Sequence, residues 1–118
     1  MDLLFFPKND IYSVKVSDDF YEYLAKIGLA KIVTYKNWKT LIEDESETIF
    51  ATKLNRKNRK KIISLIEGEI INSISKQMPL KSITNIKDFR MSLSYIEDLI
   101  IILNHFKNTQ NLFFSYLS

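Results

Sequence analysis

Six of the seventeen basic side chains fall within residues 53–61, Lys-Leu-Asn-Arg-Lys-Asn-Arg-Lys-Lys, and no carboxylate interrupts them. Ammonium and guanidinium groups packed this densely can hold an anion, a phosphate backbone or a carboxylate-rich surface, but on their own they break no bond. The rest of the 118-residue chain carries eleven basic and fourteen acidic residues, so its net charge of +3 comes from these nine positions. Lys53, Arg56, Lys57, Arg59, Lys60 and Lys61 are therefore the candidate binding residues.

Bond-breaking chemistry has little to work with. His105 is the sole histidine, placed near the end of an apolar helical pattern, where a partly charged imidazole suits the negative helix end and has no local nucleophile. The only two glycines, Gly28 and Gly68, lie forty residues apart, so no phosphate-binding loop or dinucleotide fingerprint can be written. Carboxylate pairs at Asp18/Asp19, Glu67/Glu69 and Glu97/Asp98 read as cap and surface residues. With no cysteine there is no thiol nucleophile, thiolate metal site or disulfide. The expectation is a non-enzymatic protein without metal, cofactor or small-molecule substrate.

The elements around the cluster follow from periodicity. Tyr12, Val14 and Val16 alternate as in a half-buried strand over 11–16. Ser17-Asp18-Asp19 reads as an N-cap and acidic first turn for a helix over 18–27, with Phe20, Leu24 and Ile27 as its apolar stripe and Gly28 at its end. Three short antiparallel strands are expected from 29 to 52, because β-branched and aromatic density disfavours the competing helix over 29–42. Asn55 is placed to cap a long helix that runs to about residue 76 and stops at Met78-Pro79. A second helix should run from about Thr84 to Phe106. The seam between them is expected at Ile63, Ile66, Ile70 and Ile74 of the first and at Ile86, Phe89, Leu93, Ile96, Ile100 and Leu103 of the second. The apolar stretches 3–6 and 112–117 are expected to fold back over the helices or the sheet. Left exposed, they would need a partner or a second copy, as in a homodimer.

On this reading five of the cations, all but Lys53, occupy the first two turns of a helix, the end where positive charge is unfavourable. Each would cost ~0.3–1 kcal/mol if exposed at low salt. The pairs Arg56/Lys60 and Lys57/Lys61 add like-charge repulsion. Helix stability therefore does not account for them, and a compensating anion is expected nearby. It is either internal, the Glu43, Asp44, Glu45 and Glu47 turn brought alongside by a hairpin, or external. Interleaved charges would favour a protein partner, whereas separated ones would favour nucleic acid. Against nucleic acid stands the absence of Phe, Tyr or Trp within 53–61.

The fold class expected is α+β in a single domain, residues 1–118: a small antiparallel sheet with a short N-terminal helix, followed by two long antiparallel helices packed on it. The first seven residues lack the basic start of a secretory leader and are broken by Pro7. The longest apolar run, 99–103, is far below the ~18 residues of a membrane span. A cytoplasmic setting away from membranes is expected. The function expected is binding of a macromolecule, in the manner of an inhibitor or immunity-type protein that neutralises a protein partner through its charged surface. The alternative is a nucleic-acid-binding accessory or regulatory protein using residues 53–61.

Overall fold

A computed structural model describes residues 1–77 and 86–117 of the chain. It is a mixed α+β structure built on a five-stranded antiparallel sheet. The strands are β1 (Asp2–Pro7), β2 (Tyr12–Lys15), β3 (Lys36–Ile42), β4 (Glu45–Lys53) and β5 (Asn111–Leu117), in the spatial order β2-β1-β5-β4-β3. The helices are α1 (Asp18–Leu24), a short turn α2 (Ala30–Ile32), and the 22-residue α3 (Arg56–Gln77) and α4 (Ile86–Lys107).

The two apolar terminal stretches are strands, paired with each other from Asp2↔Leu117 to Pro7↔Asn111. Periodicity misses them because β1 is buried on both faces, which produces a continuous apolar run in place of alternation. Leu3 and Phe5 join the main core under the helices, with Phe20, Leu24, Ile62, Ile66, Leu99, Ile102, Phe106 and Phe114. Phe6 faces the other way, into a smaller cluster with Ala51 and Phe113 against which Leu4, Trp38, Ile42 and Ile49 pack. The strand expected over 11–16 is present as β2 and lies at the sheet edge.

The segment after α1 departs from expectation. No strand forms over 29–35; Ala25–Leu29 is a π-helical turn and the chain stays helical to Ile32. Leu24 and Leu29 are both fully packed in the core. Five residues apart, they would point about 140° from each other on a regular α-helix. The wider turn brings both inward, and this packing overrides the β-propensity of Ile32, Val33 and Tyr35. Gly28 has φ +132°, and a Cβ there would come within 3.3 Å of Leu65 Cδ1. It therefore kinks the helix where the sequence suggested a stop.

Of the expected helix seam, Ile66, Ile96 and Leu103 are buried and Ile63 and Ile70 half-buried, while Ile74, Leu93 and Ile100 are 46, 40 and 44% exposed. The buried stripe of α4 runs instead through Ile96, Leu99, Ile102, Leu103 and Phe106, since this helix must face the sheet as well as α3. The far halves of α3 and α4 lie beyond the sheet. The molecule is 55 Å long, well over the ~33 Å of a 22-residue helix. The expected helix stop at Met78-Pro79 and start near Thr84 lie outside the described residues, as do the side chains of Ile86 and Phe89.

Tyr23 ties α1 to α3 by donating its hydroxyl hydrogen to Glu69, and packs on Tyr95. Burial, then the bond to Glu69, pushes its pKa from 10.0 to about 12. A raised tyrosine pKa means the folded state holds the proton longer, so stability should fall as pH rises through that window. Thermal melts from pH 9 to 12 should show this loss, and Tyr23→Phe should flatten it. Identical profiles for the two proteins would remove Tyr23 as the cause.

Candidate functional site

The basic cluster spans the end of β4, the connection after it and the first two turns of α3. Asn55 is the N-cap, as its position suggested: its Oδ1 accepts from Asn58 N at 2.8 Å and its carbonyl from Arg59 N at 2.9 Å. Asn58 Nδ2 reaches back to Lys53 O at 3.1 Å, and Leu54 N donates to Leu112 O at 2.8 Å, so strand end and helix start are pinned together. Lys53, Arg56, Lys57, Lys60 and Lys61 are exposed. Among the described residues none of these five has a carboxylate within ion-pair distance; the ion pairs found there are Met1 N with Asp18 and Lys107 with Glu67.

Arg59 differs from its neighbours, correcting the expectation that all six cations are free to bind. It is half-buried and points at the end of α4. Nη1 donates to Phe106 O at 2.7 Å and to Asn108 O at 2.9 Å, and Nη2 donates to Leu54 O at 3.1 Å and Asn111 O at 2.5 Å. The last carbonyls of a helix lack intrahelical donors and carry partial negative charge, so a guanidinium placed there satisfies both deficits. Burial pulls the Arg59 pKa below its ordinary value. The side chain of Asn111, 1% exposed, completes the cap by donating to His105 O at 2.9 Å. The anion that compensates Arg59 is thus the end of another helix, which places the start of α3 beside the end of α4. His105 itself stacks on Phe5 with ring centroids 4.9 Å apart.

The acidic turn does not meet the cluster. Glu43 and Asp44 form the two-residue turn between β3 and β4, with φ of +50° and +67°, at the opposite end of β4 from Lys53. Asn9 holds that turn: its Oδ1 accepts from Asp44 N at 2.6 Å, its Nδ2 donates to Asp44 Oδ1 at 2.8 Å, and its carbonyl accepts from Glu43 N at 3.4 Å. Positive φ at both central residues suits hairpin twist but is costly for Glu, so an external clamp is needed.

Two concavities flank the cluster. One, of about 440 Å³, lies between the start of α3 and the turn after α4, lined by Arg56, Arg59, Lys60, Ile63, Ser64 and Thr109. The other, about 270 Å³ and more polar, is lined by Thr34, Lys36, Trp38, Lys53, Asn55 and Asn58. Lys53 Nζ sits 5.4 Å from the Trp38 ring centroid, and Trp38 Nε1 donates to Ala51 O at 3.0 Å. Lys36 and Trp38 were not legible as site residues, because Lys36-Asn37 reads as a turn. The hairpin register Lys36↔Ala51 is what sets them beside Lys53.

Among the described residues, no group of three or more His, Cys, Asp or Glu side chains could hold a metal ion, and no helix is long and apolar enough to cross a membrane. No protein-family model, curated protein or solved structure matches this chain.

Proposed function

We propose that this chain is a non-enzymatic binding protein whose basic end engages a polyanion, with a nucleic-acid backbone favoured over an acidic protein surface. The observation that carries this reading is the separation of charge: the acidic turn is tied to Asn9, and the exposed cations of 53–61 are left without carboxylate partners among the described residues. Five exposed cations on one strand end and one helix start, with Lys36 beside them, offer phosphate oxygens several simultaneous contacts. The lack of cysteine suits a reducing, cytoplasmic setting.

The test is fluorescence anisotropy of labelled DNA and RNA of several sequences across a salt series, beside thermal melts. Neutralising a single cluster lysine should weaken binding to all sequences alike and lower the salt slope by ~1 per lost phosphate contact. The double variant Lys57→Glu/Lys61→Glu should bind far more weakly and melt no lower than the parent. Carboxylates in the first turns of α3 relieve both the dipole conflict and the i,i+4 repulsion. A double variant that melts lower and still binds would show that these lysines serve the fold.

A second reading, an inhibitor or immunity-type protein acting on a protein partner or assembling with a second copy, draws on a different surface. Ile71, Ile74 and Leu93, on the far halves of α3 and α4, are 66, 46 and 40% exposed. Apolar side chains grouped in this way suit a protein contact better than a phosphate one. Ile71→Glu should then abolish partner binding or self-association by light scattering and leave anisotropy with nucleic acid unchanged.

A further inference from the structure

Resting on the polyanion reading, we infer that the concavity between the start of α3 and the turn after α4 receives one unstacked nucleobase, laid against the guanidinium face of Arg59. The surface would then prefer single-stranded to duplex nucleic acid. The volume of about 440 Å³ is within the ~300–1,000 Å³ typical of sites for small organic ligands. Its lining combines three chemistries: cations at Arg56 and Lys60, an aliphatic wall at Ile63, and hydroxyls at Ser64 and Thr109. A bare phosphate has no use for the aliphatic wall, and a purely apolar ligand has none for the cations. A nucleotide has a flat, weakly polar base with hydrogen-bonding edges, joined to a phosphate, and uses all three.

Arg59 adds the most specific element. All four N–H groups on Nη1 and Nη2 are directed to backbone carbonyls at 2.5–3.1 Å. Those bonds lie in the guanidinium plane, so Arg59 can no longer fork onto a phosphate, and what it still offers a ligand is its flat face. Guanidinium planes stack on bases, and stacking tolerates any base because each has a π-face. Being held from four sides, this platform has no rotamer freedom left to lose on binding. It also supplies what residues 53–61 lack in sequence, a planar group within the cluster.

The experiment compares a labelled twelve-nucleotide oligothymidine with a duplex of the same length, at matched salt, by anisotropy. The single strand should bind the parent protein about tenfold or more tightly than the duplex. Replacing its thymines with abasic sites should erase that excess. Ser64→Trp, a substitution at an exposed position of α3 that fills the concavity, should bring single-strand affinity down to the duplex value with duplex binding unchanged. A melt confirms that the variant folds, and the abasic oligomer decides the matter if it does not. Equal affinity for single strand, abasic strand and duplex would overturn the base site and leave the phosphate-binding reading standing. Binding to none of them would overturn both.

Discussion

Replacing Arg59 with alanine should lower the free energy of unfolding by about 3 kcal/mol, the largest loss expected from any residue of the basic cluster. Hydrogen bonds from charged donors contribute ~1.5–3 kcal/mol each, and the values are not additive. Four carbonyls lose their donor in this variant, Leu54 O, Phe106 O, Asn108 O and Asn111 O. Arg59 is only half-buried, so water can reach some of them, which holds the estimate near the value of one or two bonds. Arg59→Lys should recover less than half of the loss, because a single ammonium cannot address four acceptors arranged around a plane. Urea unfolding of the three proteins measures this directly. A loss under 1 kcal/mol for Arg59→Ala would mean that the α3–α4 junction does not depend on the clamp. By contrast Lys57 and Lys61, two and four positions along the same helix, should tolerate charge reversal. This contrast within six consecutive residues separates a structural cation from binding ones.

Phe5→Ala should cost about 3–5 kcal/mol, the range for removing a fully buried aromatic side chain. Phe5 is 0% exposed and its ring lies 4.9 Å from His105, 5.1 Å from Phe106 and 5.4 Å from Phe114. It is the point where the central strand, the neighbouring strand and the end of α4 meet. Its loss leaves a cavity that cannot close without moving all three. Ile74→Ala, on the exposed part of α3, should change stability by no more than about 0.5 kcal/mol although it removes the same class of side chain. Chemical unfolding of both variants tests the contrast. Similar values for the two would contradict the placement of β1 at the centre of the sheet.

Both predictions turn on residues whose roles the chain gives unequal notice of. Asn55 as helix cap, Ser17 as the cap of α1, accepting from Phe20 N at 3.1 Å, and the β3–β4 hairpin with its polar turn were all readable, since each depends on neighbours in sequence. The same holds for the wet stripe of α3, where Lys57, Lys61, Ser64, Gly68, Asn72 and Ser75 are exposed as the 3.6-residue period requires. The local pattern misled where one residue serves two neighbours. The stripe of α4 is rotated because the helix touches the sheet as well as α3, and the turn after Gly28 stays helical because Leu24 and Leu29 share one core.

By itself the sequence determined that the chain is mixed α and β, that it has no thiol or glycine-loop chemistry, and that six cations gather at one strand-to-helix connection. Composition and short-range periodicity are enough for such statements, because they concern what each segment can do alone. Only the tertiary structure decided that the two ends of the chain pair with each other, that Arg59 belongs to α4, and that the acidic turn is held by Asn9 and not by the lysines. Those choices join residues such as Asp2 and Leu117, Arg59 and Phe106, and Asn9 and Asp44. Contacts at such separation are selected by which arrangement buries the most apolar surface and leaves the fewest buried backbone groups without partners. That competition involves the whole chain, so no single segment carries its result.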